Sequence, residues 1–196
     1  MSSFLLDNDP TAARNVIRVD GEDRKVPEHI SALELRKILG NKFDEYASFA
    51  FVRNPYSKIV SSYYFYRDGR AAREVRAGKH GFFVRSKVLF AQMLPFSLWS
   101  ILYPYRSCSR SLVDQDGKLL VKHLGYFENL ENDFKDIIGR LGFDSRLEQL
   151  PHFNRTDHDD FNSYIGNGIL KRVLARKVHS DLTLFYSPAR VYREKT

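Results

Sequence analysis

Ala47 to Arg67 reads ASFAFVRNPYSKIVSSYYFYR, and its reading decides the fold. Ala47 to Val52 is short, apolar and aromatic, which suits a buried strand. Arg53 stands where that strand should end. Asn54 is a good N-cap and Pro55 a good first helical residue, so a helix is expected at once. Ile59, Val60, Tyr63 and Tyr64 then recur at helical spacing. A strand running straight into a helix aims the first N–H groups of the helix at the crevice beyond the strand end, which is an anion site. Arg53 at the junction can fork onto a phosphate, and Ser61, two turns on, can add a hydroxyl. Local chemistry alone leaves an ordinary strand–helix unit with a solvated arginine equally open.

The surrounding composition fits this reading without selecting it. A chain of 196 residues with 43% hydrophobic residues has enough material for one packed domain. A formal charge of +7 favours anionic partners such as nucleotides, acidic glycans, nucleic acid or anionic membrane. Cys108 is the single cysteine, which excludes an internal disulfide and a cysteine-based metal site. No apolar run reaches the roughly 18 residues of a membrane span. MSSFLLDNDP is too short and acidic for a signal peptide, so a cytoplasmic location is expected.

Working outward, Val16–Val19 suits a short strand and Asp20-Gly21 a turn. Ser31 and Glu34 form an S-x-x-E capping box for a helix that Gly40 closes, with a further turn at Phe43 to Tyr46. The basic stretch after Arg67 reads as a mobile loop or a solvated helix, 82–93 as an amphipathic helix, and 95–104 as irregular. Residues 112–121 suggest a hairpin or a turn feeding a strand that Leu124–Phe127 continues, and Asn129–Leu141 a helix. A polar loop around Pro151 precedes helices over about Asp159–Ile165 and Ile169–Phe185.

FVRNPYSKIVSSYYFYR resembles the 3′-phosphate-binding segment of the sulfotransferases, where an arginine at a strand end is followed eight positions later by a serine, the spacing of Arg53 and Ser61. The VRNP and SYYFYR flavour is similar to the carbohydrate sulfotransferases, including the heparan sulfate 2-O-sulfotransferases. LVDQDGKLLVKHLGYFENLENDFKDIIGRLGF, LPHFNRT and DLTLFY resemble three later segments of the same family. The likeness covers about 29–186, weakest at 67–111, and leaves 1–28 atypical within a single domain of 1–196.

The resemblance implies a three-layer α/β domain, a mostly parallel sheet flanked by helices, of the P-loop nucleotide-kinase type. It implies sulfuryl transfer from 3′-phosphoadenosine 5′-phosphosulfate to a carbohydrate hydroxyl, with no metal. Arg53, Ser61, Asn154, Arg155 and Thr156 would bind the cofactor, the last three in a loop that closes over the nucleotide. His29 would be the catalytic base: an imidazole titrates near neutrality, and the family carries a histidine in a similar place upstream of VRNP. A plain surface or capping histidine is the alternative. Tyr63, Tyr64 and Tyr66 suit stacking on adenine or sugar, but more often form core. Glu128 reads as structural.

Nothing before His29 resembles the P-K-T-A-G-T-S loop that cradles the 5′-phosphosulfate in that family. This departure points to a truncated or degenerate member. A non-catalytic module binding nucleotide or acidic glycan is the alternative function. A nucleic-acid protein is third, because the cations are spread along the chain.

Overall fold

The computed structural model describes residues 16–19, 22–27, 29–142 and 160–187. The chain runs β1 (Val16–Val19), β2 (Glu22–Lys25), α1 (Ala32–Leu39), β3 (Phe49–Val52), α2 (Pro55–Arg67), α3 (Arg70–Arg76), α4 (Phe82–Met93) and α5 (Phe96–Leu102). It continues through α6 (Ser109–Leu112), β4 (His123–Tyr126), α7 (Leu130–Arg140), α8 (Phe161–Ile165), α9 (Ile169–Lys177) and α10 (His179–Phe185). The architecture is mixed helix and sheet, mostly helical, with a small parallel and a small antiparallel sheet. Two compact units divide it, each drawn from two chain segments: Met1–Val52 with Cys108–Pro151, and Arg53–Ser107 with His152–Thr196.

In the first unit, β1 and β2 pair antiparallel, Val16 opposite Lys25. Ser31 caps α1 through the expected reciprocal box: its hydroxyl accepts from the Glu34 N–H, and the Glu34 carboxylate accepts from the Ser31 N–H at 2.9 Å. The bond from the Ser31 N–H, with one that the Ser31 hydroxyl donates to the same carboxylate at 2.7 Å, holds the Glu34 carboxyl below its usual pKa. Gly40 ends the helix at φ 57, where a 3-10 turn over Gly40–Glu45 buries Phe43 against Ala32 and Leu120.

β3 and β4 pair in parallel, Phe49 opposite His123 and Val52 opposite Tyr126. The rings of Phe49 and Phe51 lie 6.5 and 6.3 Å from Phe134 on α7, which is fully buried. Opposite Phe51 stands Gly125, and a Cβ there would meet the Phe51 ring at 2.3 Å. Gly125→Ala is therefore expected to cost about 1–3 kcal/mol, the usual penalty of overpacking. Urea unfolding reads this directly, and an unchanged midpoint would refute the ring's placement. The carboxylate that ties α7 to the end of β4 is Asp133, which accepts from the Tyr126 N–H and from Asn129 Nδ2, both at 2.6 Å. Glu128 is exposed in the short turn between them.

The second unit is built around α2. Tyr56, Ile59, Val60 and Tyr63 are buried in one cluster with Trp99, Ile165, Leu174 and Val178, and α3, α4, α5 and α8 all pack on this helix. No residue of this helix from Pro55 to Arg67 is fully exposed, which marks it as the central one. Gly69 allows the tight turn into α3, because a Cβ there would lie 2.8 Å from the Phe65 Cα.

Of the mobile loop and the solvated helix open to the basic stretch after Arg67, the structure has a helix, α3, anchored by the buried Ala71 and Ala72. Two segments of this unit differ from expectation. Residues 96–102 are helical rather than irregular: Pro95 and Pro104 bracket the helix instead of breaking it, and Trp99 fills the core. The expected helix over Ile169–Phe185 is two, meeting at Val178, whose φ of −107 and ψ of 10 leave the helical region. In the first unit, residues 109–121 form α6, a turn and one antiparallel bridge between Val113 and Leu119, short of a hairpin, and the chain runs on into the strand β4.

Candidate functional site

The Arg53 junction forms as its residues dictate. Val52 ends β3 and Pro55 opens α2. Asn54 Oδ1 accepts from the N–H groups of Tyr56 at 3.0 Å and Ser57 at 3.4 Å, and its carbonyl accepts from the Lys58 N–H at 2.9 Å. Pro55 has no N–H to offer. The first turn is thus satisfied by Asn54 itself, which corrects the expectation of helix N–H groups left open for an anion. An anion at this end of the helix would meet side chains only. The Arg53 Nε–H donates to Ser57 Oγ at 3.0 Å, which fixes the half-buried guanidinium to the start of the helix. Ser61, also half-buried, follows one turn beyond Ser57 on the same helix face.

Lys58 and Asp181 belong to a network that no local motif marks. The Lys58 ammonium lies 5.2 Å over the Tyr105 ring and donates to the Arg106 carbonyl at 2.7 Å. The Tyr105 hydroxyl donates to Asp181 at 2.5 Å, and the Ser107 hydroxyl donates to the other oxygen of the same carboxylate. Asp181 is 1% exposed and opens the DLTLFY segment. Lys177 donates to the carbonyls of Ser100 at 2.7 Å, Ile101 at 2.8 Å and Tyr103, closing the C-terminal end of α5. Burial pushes its ammonium below the usual pKa.

The tyrosine stripe of α2 is core. The Tyr63 ring lies 5.2 Å from Trp99 and 5.5 Å from Phe96; its hydroxyl donates to the Leu94 carbonyl at 2.9 Å and accepts from Arg67. Burial, with a hydrogen bond to Tyr164, pushes the Tyr64 hydroxyl up to about 12. That hydroxyl stays protonated near neutrality and offers no base there. Tyr66 packs against Tyr103 at 5.8 Å.

His29 lies in the first unit, exposed, in the turn two residues before Ala-led α1 is capped by Ser31. Arg53 and Ser61 belong to the second unit. His80 Nε2 is 2.7 Å from Glu74, His123 begins β4, and His179 begins α10. Asn154, Arg155 and Thr156, with His152 and His158, lie outside the described residues. Among the described residues, no group of three or more His, Cys, Asp or Glu is placed to hold a metal ion, and no helix is long and apolar enough to cross a membrane.

A chain of this class, mostly helical with a short parallel strand pair leading into a capped helix, matches no protein-family model. No solved structure matches it either. A curated protein of Archaeoglobus fulgidus, itself described as uncharacterized, is 31% identical over 117 residues, 58% of this chain and 83% of the relative. The chain belongs to the same family as that archaeal protein.

Proposed function

We propose that this chain is a carbohydrate sulfotransferase-like protein, and that the Arg53 end of α2 binds the 3′-phosphate of 3′-phosphoadenosine 5′-phosphosulfate. The observation that carries this is the Arg53 guanidinium, tied to the first turn of a capped helix by Ser57 with Ser61 a turn beyond. On this reading β3 and β4 belong to a three-layer, nucleotide-kinase-like core, and Asn154, Arg155 and Thr156 close over the nucleotide. Sulfuryl transfer to a carbohydrate hydroxyl then rests on positioning and on cations that neutralise the leaving phosphate, as in phosphoryl transfer.

Calorimetry with the desulfated product, adenosine 3′,5′-bisphosphate, tests the site. Arg53→Ala removes a charged hydrogen-bond donor and is expected to cost roughly 1.5–3 kcal/mol of binding. Equal affinity for the parent and the variant would sink the assignment.

The Asn54 cap favours a second reading, a non-catalytic anion-binding module. With the Tyr56 and Ser57 N–H groups already taken, the helix adds no backbone donors to the arginine. Incubation with radiolabelled sulfuryl donor and a mixed glycosaminoglycan pool separates the two: only an enzyme transfers label over many turnovers.

A further inference from the structure

The inner face of α4 packs Val84 and Val88 against Ala71 and Ala72 of α3, and Ala91 joins the cluster around Trp99. Its outer face is apolar as well. Phe82 is 81% exposed, Leu89 58% and Met93 79%, and they recur at i, i+7 and i+11 along one side. Phe83, also 81% exposed, stands beside Phe82 where the turn from α3 enters the helix. Scattered exposed apolar residues are ordinary; an aligned row with two adjacent phenylalanines marks a surface that something covers.

Charge says what covers it. From residue 70 to 87 the chain carries six cations, Arg70, Arg73, Arg76, Lys79, Arg85 and Lys87, against one acid, Glu74. Glu74 is already engaged, by Arg70 at 2.7 Å and His80 at 2.7 Å. Arg73, Arg76, Lys79 and Arg85 are exposed. A two-fold interface between copies would set this basic surface against itself, which like charges disfavour. A soluble polyanion would satisfy the arginines and leave the phenylalanines in water. An anionic bilayer meets both demands, taking aromatic and aliphatic side chains at the headgroup boundary and drawing cations to its surface potential.

We infer that the α3–α4 hairpin is a peripheral docking surface for anionic lipid membranes, with Phe82 and Phe83 entering the interface and Arg73, Arg76, Lys79 and Arg85 meeting the headgroups. The inference is independent of the sulfotransferase reading.

Co-sedimentation of the full chain with lipid vesicles tests it. The chain is expected to bind phosphatidylcholine vesicles carrying about a quarter phosphatidylserine at least tenfold better than phosphatidylcholine alone, and to release as salt rises. A double variant, Phe82→Ser with Phe83→Ser, is expected to lose at least about tenfold of that binding, since its apolar anchor is gone. Its unfolding midpoint is expected to hold, because both side chains lie outside the core. Arg73→Glu with Arg76→Glu is expected to weaken binding similarly. Equal binding to neutral vesicles, no binding to either, or full binding by the phenylalanine variant would overturn the proposal. So would light scattering that shows a dimer which the same variant dissociates, because a second copy would then own the surface.

Discussion

Trp99→Ala is expected to destabilise the second unit by roughly 3–5 kcal/mol, the range for a buried aromatic reduced to a methyl group. Trp99 is fully buried, stacked on Tyr103 with ring centres 4.2 Å apart and tilted against Tyr63 at 5.2 Å. Its Nε1–H is buried and finds no hydrogen-bond partner among the described residues. Trp99→Phe removes that unpaired donor together with part of the volume, so its cost is expected to be far smaller, about 1–2 kcal/mol. Denaturant unfolding of the two variants measures both. A cost of Trp99→Phe well above about 2 kcal/mol would mean that the indole N–H is satisfied after all.

The second large effect is catalytic and rests on the proposed function. His29→Ala is expected to cut sulfuryl transfer by roughly 10²–10⁴-fold, the contribution of a positioned general base. Affinity for adenosine 3′,5′-bisphosphate is expected to stay unchanged, because the 3′-phosphate contacts are assigned to Arg53 and Ser61. His29→Gln, which keeps a polar side chain but cannot take the proton, is expected to fall as far as alanine. Turnover that survives either change removes His29 from the mechanism.

What the sequence disclosed was local. The Ser31–Glu34 box and the Asn54-Pro55 start are each specified by residues within four positions, and both form with the expected partners. Asn54 also shows the limit of that logic. A strong N-cap predicts a well-formed helix start, and by the same hydrogen bonds it takes up the donors that made the start attractive to an anion. The network around Asp181 joins residues 74 and 76 positions apart, and no local signal announces it beyond the aspartate in DLTLFY. The helix over 96–102 has no side-chain cap to announce it, and Pro95 and Pro104 fall just outside it. The break at Val178 has no glycine or proline to reveal it; Val178 and Asp181 are both buried there. The loop holding Asn154, Arg155 and Thr156 remains a reading of the sequence.

The pairing of β3 with β4 has a kinetic side. About 70 residues separate the two strands along the chain, and each compact unit is completed only by a segment made after part of the other. At roughly 5–20 residues per second, β3 leaves the ribosome some 4–14 seconds before its partner exists. During that interval Phe49 and Phe51 lack both Phe134 and the β4 backbone. Closing so long a loop also slows the pairing itself. The newborn chain therefore carries an unpaired aromatic strand through about a third of its synthesis, until residues 123–138 arrive to cover it.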